Sequence, residues 1–244
     1  MSSDPSAWSV SPAGFTGRRP TAQGLGSLVY EQIKERLLDG VLAAGQRLQV
    51  EALKAEFRVS KQPVMEALRR LSGEGLVEII PQVGCQVRDY PHQEVEDFFR
   101  LFGGMEGTIT EIAAARRTDA QIALLEQVED QIGALRHGDD AGARSRGYRL
   151  HNRRFHAVVH EMARSPIMAA TSQRMWDLSD FLINTMGSTA PLSEALEQRH
   201  ADHERIVRAL RAADGATARL ETEAHIIGTI GIIWPQPSIV EHNG

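Results

Sequence analysis

Val59-Ser-Lys-Gln-Pro-Val-Met-Glu-Ala-Leu-Arg-Arg-Leu71 is the stretch on which the reading of this chain turns. Ser60 suits a helix start, because its hydroxyl can accept from an orphan backbone N–H. Pro63 falls in the first helical turn, where its missing N–H costs little. Val64, Ala67, Leu68 and Leu71 then recur at helical spacing and make one buried face, with Lys61 and Gln62 polar at the helix start. Upstream, residues 50–57 read as a short helix with Leu53 and Phe57 inward, and Arg58-Val59 as the turn. Before that, 27–39 reads as a helix capped by Ser27, with Leu28, Val29, Ile33, Leu37 and Leu38 as its apolar stripe and Gly40 as its stop. Downstream, Gly75 is a terminator, Leu76 to Ile80 a strand, Pro81 to Gly84 a turn and Cys85 to Arg88 a return strand. This is the layout of a winged helix-turn-helix, and it places Lys61 and Gln62 where base edges are read.

The bulk properties are compatible with that reading without suggesting it. A chain of 244 residues has room for two domains, and 42% hydrophobic with 24% charged residues is ordinary for a soluble globular protein. Aromatics are only 5%, so helices packed through aliphatic side chains are expected. Cys85 is the single cysteine, which rules out an intramolecular disulfide and points to the cytoplasm; a small strand residue is a better reading of it than a redox switch. No apolar run of about 18 residues occurs, so no membrane span is expected. The net charge is −5, and it is unevenly spread: residues 26–90 hold nine basic and nine acidic residues, whereas 91–244 hold 16 and 22. A neutral head can bind DNA if its basic residues share a face.

The segment 1–25 is rich in Ser, Pro, Gly and Ala, lacks the apolar centre of a signal peptide and reads as a flexible arm, with Arg18 and Arg19 solvated. Tyr90-Pro91 reads as a linker. Past it, helical patterns run over 92–116, 118–137, 144–164, 166–187, 191–213 and 215–234. Short connections between them imply antiparallel neighbours in a bundle. Gly103, Gly104 and Gly107 argue against a regular first helix there. The expected architecture is therefore mainly α: arm 1–25, winged helix-turn-helix 26–90, all-α antiparallel bundle 91–236 and tail 237–244.

Nine histidines are many for this length. Asn152 and His156 are four apart and share a helix face. His203 and His225 flank Asp214-Gly215 symmetrically; if that is the apex of a helical hairpin, each lies ~16 Å along its helix, side by side at equal height. Three imidazoles and one carbonyl oxygen converging in a bundle form a plausible set of ligands for a divalent transition metal. His160 is an alternative ligand or an outer residue, and His151, His200 and His242 carry no spacing argument. The run His156-Ala-Val-Val-His160 lacks the Glu of a zinc-hydrolase helix.

These motifs together resemble a known family. Residues 27–88 are similar to the winged helix-turn-helix of the GntR family of bacterial transcription regulators, through Gly45 to Leu48, the Val59–Leu71 run, Gly75-Leu-Val and the wing glycine Gly84. The helical remainder resembles the FadR-type ligand-binding domain, FCD, in which Asp-x-x-x-His on one helix is followed by two histidines 22 apart; here these are Asn152-Arg-Arg-Phe-His156, His203 and His225. The resemblance implies a homodimer on a pseudo-palindromic DNA operator, answering to a small organic acid near a metal, with Zn or Ni foremost and Mn or Co as alternatives. Three departures stand out. Met65 and Val83 occupy positions where the family usually has Arg, and a lost bidentate Arg contact costs about 1–3 kcal/mol of base discrimination. Base reading then shifts to Ser60, Lys61 and Gln62, with Gln82 at the wing. Asn152 replaces the usual Asp, so it brings an oxygen without a charge.

Arg69 and Arg70 read as phosphate contacts or intradomain pairs. Met65 touches a thymine methyl or fills the interface. Arg149, Arg153 and Arg174 could pair with an anion, but on amphipathic helices a solvated face is the better reading. Two other functions compete with the effector-responsive regulator: a metal sensor in which the cation is the signal, and a metal-dependent enzyme with an appended head.

Overall fold

The computed structural model describes residues 22–186 and 191–234. The expectations for Arg18, Arg19, His242, most of the arm and the tail 237–244 lie outside the described residues.

The head is built from α1 (Ala22–Leu38), α2 (Val50–Phe57) and α3 (Lys61–Gly73), with β1 (Arg47–Leu48), β2 (Val77–Ile80) and β3 (Gly84–Val87). The strands are antiparallel in the order β1-β3-β2, with Glu78 opposite Gln86 and Leu48 opposite Cys85. Val29, Ile33 and Leu37 of α1 meet Val64, Leu68 and Leu71 of α3 in a core closed by Val77 and Val87. The apolar spacing of α3 thus does what the sequence indicates. Arg58, in the left-handed region at φ 53°, closes α2 and turns the chain towards α3.

Several local expectations need correcting. Helix α1 begins at Ala22, so it takes in residues 22–25 and Ser27 lies inside it rather than capping it, with Leu28 exposed. Packing explains the extension: Gly26 is buried so close to α3 that a Cβ there would lie 2.8 Å from Glu66 Oε2. Ser60 occupies the cap position with extended backbone, but its side chain makes no capping hydrogen bond. Strand β1, only two residues long, is too short to show alternation in sequence.

The helical domain comprises α4 (His92–Arg116), α5 (Asp119–Ala134), α6 (Ala141–Ala163), α7 (Pro166–Met186), α8 (Leu196–Arg211), α9 (Gly215–Ile227) and α10 (Thr229–Ile233). Thr118 and Gln121 form a capping box on α5, and Asp140 and Asp214 cap α6 and α9. Helix α4 is continuous despite its glycines. Gly103 and Gly107 face α9, where a Cβ would lie 3.1 Å from Ile227 Cγ1 or 2.5 Å from Glu223 Cγ, so their absent side chains let the two helices approach. The stretch read as one helix over 215–234 is two, parted at Gly228.

Head and bundle are joined by polar contacts along α1 and α7. Lys34 pairs with Asp177 at 2.7 Å, Asn184 Nδ2 donates to Leu38 O at 2.8 Å, and Arg174 Nη2 donates to Gly73 O at 2.9 Å. Arg149 reaches Glu35 and Asp39 at 2.9 Å each, and Arg153 Nε donates to Asp180 at 2.7 Å. Arg149 and Arg153 therefore tie elements together instead of forming a solvated face, whereas Arg174 is exposed as expected while still reaching Gly73 O; a helical wheel cannot show that a second domain covers the side of Arg149.

Candidate metal centre and DNA-contact face

On the head, α3 turns Pro63, Val64, Ala67, Leu68 and Leu71 inward and leaves Lys61, Gln62 and Arg69 exposed, with Ser60 exposed at its start. None of these four side chains is engaged in a hydrogen bond or ion pair among the described residues. Met65 is partly buried against the core. Arg70 is intradomain: its guanidinium stacks 3.7 Å from the Tyr30 ring centre and its Nη1 donates to Ser27 Oγ at 3.4 Å. At the wing, Gln82 (φ 64°) and Gly84 (φ 134°) are both exposed and both in positive-φ conformations. Arg47 on β1 and Arg58 after α2 are also exposed cations of the head that the sequence reading did not single out. Cys85 is buried in β3, and burial pushes its thiol up to about 11, which removes the thiolate a redox switch needs.

In the bundle, α6, α8 and α9 bring His156, His203 and His225 together, with one nitrogen of each within 4.8 Å of the others. Each is at least 97% buried. Burial holds all three well below the usual histidine range, so they are neutral and have lone pairs to give. His225 Nδ1 lies 3.2 Å from Asp202 Oδ2, so a proton there leaves Nε2 as the acceptor. His203 Nδ1 lies 2.9 Å from Glu129 Oε2, and His200 Nδ1 bonds the other Glu129 oxygen. Burial, with Glu204 and Asp130 nearby, pushes the Glu129 carboxyl up to about 9. Metal-free, Glu129 thus carries a proton at neutral pH, and His203 Nε2–H donates to His225 Nε2 at 3.2 Å. The chain Glu129–His203–His225–Asp202 is then neutral at both rings and fully paired.

His156 is the exception. Neither of its ring nitrogens has a hydrogen-bond partner, and Glu106 Oε2 stays 3.7 Å from Nδ1. His160 does not join the cluster; its Nε2 contacts Glu106 at 3.0 Å, and Ser172 Oγ also donates to that carboxylate. Burial works to raise Glu106, but hydrogen bonds from His160 and Ser172 hold it below the usual carboxylate range. A buried imidazole with both nitrogens unpaired is expensive. Together with two further nitrogens at ligand spacing, it fits a divalent cation. Carboxylates behind two of the rings supply the orienting partners that metal-binding histidines usually have. Asn152 is buried, accepts from Tyr148 OH at 3.3 Å, and lines one cavity of about 20 Å³ with His225, Arg149, Asp180 and Arg199. Asp202, Glu129, Glu106 and Arg199 were not singled out from the sequence; only Asp202, adjacent to His203, offered a local hint.

A winged head that leaves its recognition helix uncovered, carried on an all-helical domain, is the architecture of a DNA-binding transcriptional regulator. Residues 25–87 match the profile of bacterial regulatory proteins of the gntR family, and residues 97–228 match the FCD domain. The chain belongs to the GntR family and carries the FCD domain. It is 25% identical over 205 residues to the HTH-type transcriptional repressor GlaR of Escherichia coli K12, covering 84% of this chain and 93% of GlaR. It is 23% identical over 209 residues to the HTH-type transcriptional regulator LutR of Bacillus subtilis, covering 77% and 91%. Among solved structures, E. coli McbR/YncC superposes with a TM-score of 0.69 at 21% identity, over 86% of this chain and 97% of that one. The relatives are transcriptional regulators, which sets the enzyme reading aside. Among the described residues, no helix is long and apolar enough to cross a membrane.

Proposed function

We propose that this regulator binds a pseudo-palindromic operator as a cytoplasmic homodimer, and that an organic acid bound beside a divalent metal in the helical domain changes its DNA affinity. The observation that carries the reading is the convergence of His156, His203 and His225, with His156 otherwise unpaired. These residues, with Asn152, would hold the cation; Zn or Ni suits the imidazole-rich set. A bound cation would supply a positive anchor for a carboxylate, and Arg149 and Arg199 on the same cavity favour an anion there. On the head, Ser60, Lys61 and Gln62 start the recognition helix and read bases, Met65 and Arg69 flank that contact, and Gln82 and Gly84 place the wing.

Two measurements test this. Elemental analysis of the parent beside a His203→Ala, His225→Ala variant should find near-stoichiometric metal in the first and none in the second; metal-free parent protein after exposure to Zn and Ni would refute the metal centre. Selection of bound sequences from random DNA should yield a two-fold symmetric site. Lys61→Ala should weaken binding and Gln62→Ala should relax base choice, by about 1–3 kcal/mol for a bidentate contact. Equal binding to all sequences would refute the operator reading.

A further inference from the structure

Arg149 belongs to two places at once. It lies on α6 three residues before Asn152 and seven before His156, hence on their face of the helix. It lines the small cavity with Asn152 and His225. It also lines the cleft of about 370 Å³ between head and bundle, with Glu35, Trp176 and Asp177. Its side chain is only 8% exposed, yet its guanidinium is incompletely used. Nη2 donates to Glu35 Oε2 at 2.9 Å and touches Asp39 Oδ1 at the same distance, but the second contact lacks hydrogen-bond alignment, and Nε has no partner. A planar fork with unused donors is suited to a bidentate carboxylate.

The far side of this contact is the end of α1. Glu35 is in its last turn and Asp39 directly follows it. Helix α1 shares its core with the recognition helix, through Ile33 and Leu37 against Leu68 and Leu71, and Lys34 bonds Glu74 just past the end of α3. Whatever loosens the end of α1 from the bundle is therefore felt at the recognition helix, which keeps the separate tether of Gly73 O to Arg174.

We propose that Arg149 is the coupling residue between the histidine cluster and the head: its guanidinium holds Glu35 and Asp39, and a carboxylate that enters from the cleft of about 370 Å³ and takes the space Arg149 vacates beside the one-water cavity competes for it and releases α1. This rests on the metal-anchored carboxylate reading given above. The competition is between anions for one cation, so it needs no long conformational relay, only a turn of one side chain whose donors are already partly free.

The test uses zinc-loaded full-length protein, acetate as the simplest carboxylate and chloride at matched ionic strength. Hydrogen exchange is followed in peptides covering residues 30–39. Acetate should speed exchange there by at least about fivefold over chloride, the lower end of ordinary coupling between two sites. Glu35→Gln, Asp39→Asn protein, which keeps the cavity intact, should exchange fast at the outset and ignore acetate. Arg149→Met should also ignore it. Asn184→Ala, which removes the separate tether to Leu38 O, should loosen α1 yet keep its acetate response. An acetate response that survives in the Glu35→Gln, Asp39→Asn protein, or none in the zinc-bound parent, overturns the proposal while leaving the metal centre standing. Zinc measured in the same samples separates the two failures: a parent that holds no zinc removes the underlying reading and this proposal with it.

Discussion

Replacing Glu129 with glutamine should leave the metal-free protein almost unchanged and weaken its metal binding. In the metal-free chain the Glu129 carboxyl, pushed up to about 9, is neutral at neutral pH. A glutamine is its near-isostere and keeps both an acceptor and a donor for the two histidines that flank it. The cost to folding should therefore stay within about 1 kcal/mol, the scale of one exchanged hydrogen bond. Metal binding changes the demand. To hold a cation His203 would have to free Nε2: the Nε2 proton would leave to solvent and Glu129 would pass its own proton to Nδ1, 2.9 Å from Oε2, becoming a carboxylate. The acceptor now required is a carboxylate beside a cation, and a neutral amide is a poorer one. Orienting partners of metal-bound histidines are worth about 10–100-fold in affinity, or about 1.4–2.7 kcal/mol.

Competition against a chromophoric chelator for Zn gives the affinity, and thermal unfolding of chelator-stripped protein gives the stability. Asp202→Asn is the contrasting variant. Asp202 faces His225 Nδ1 at 3.2 Å but also pairs with the almost fully buried Arg199 at 2.8 Å. Its loss should lower both metal affinity and metal-free stability, the latter towards the about 3–5 kcal/mol of a broken buried pair. If E129Q binds Zn as tightly as the parent, Glu129 does not orient His203 and the proton assignment is wrong. If E129Q destabilises the stripped protein as much as D202N does, the carboxyl is charged without metal and the same reasoning fails.

Gly107→Ala should destabilise by about 1–3 kcal/mol in thermal unfolding, because its Cβ would meet Glu223 Cγ at 2.5 Å and force α4 from α9, a typical cost of overpacking. Gly104→Ala, with nothing within 4 Å of its Cβ, should instead stabilise by up to about 1 kcal/mol through helix propensity; equal effects of the two would refute the close-packing explanation. The buried histidines set a pH dependence of known sign. Their folded-state pKa values lie well below the ordinary 6.5, so the unfolded chain takes up protons that the folded chain refuses. Their contribution is fully present above that ordinary value and is lost as pH falls below it, by about 1.4 kcal/mol per histidine per pH unit. Denaturant titrations of stripped protein should show this slope below neutral pH and a shallower one in His156→Gln; identical slopes would mean that His156 titrates normally.

How much could be read in advance depended on the distance over which each feature is encoded. The recognition helix was legible because one helical face and one preceding turn specify it within a dozen residues. The pairing of His203 with His225 was legible because a helical hairpin turns sequence symmetry about Asp214-Gly215 into equal height. Ser27 was misplaced because Gly26 is held by contact with α3, which no local rule contains. Glu129 and Glu106 were invisible for the same reason: each reaches the histidines from another helix, so its role exists only after packing. Arg149 and Arg153 failed differently. They were read as a solvated face of an amphipathic helix, but that face meets α1 and α7, and an amphipathic pattern cannot tell a protein neighbour from water.

Asn152 gains a meaning from the charges around it. Resemblance leads one to expect an aspartate there. In a set of three neutral imidazoles and a neutral amide no ligand atom would carry charge, so compensation for a divalent cation would fall to the carboxylates behind the rings, Asp202, Glu129 and Glu106. Asp180, which lines the same cavity, is engaged by Arg153, and its burial, acting first, raises its carboxyl above the ordinary range despite that partner. It is poorly placed to balance the cation. Arg149 and Arg199 add further positive charge to the cavity. An aspartate at 152 would relieve this excess and also repel an incoming carboxylate. The asparagine does neither. On the function proposed above, it would trade intrinsic metal affinity for a site in which an anion bound beside the cation completes the balance, and Arg149 would then serve whichever carboxylate, Glu35 or ligand, offers the better geometry.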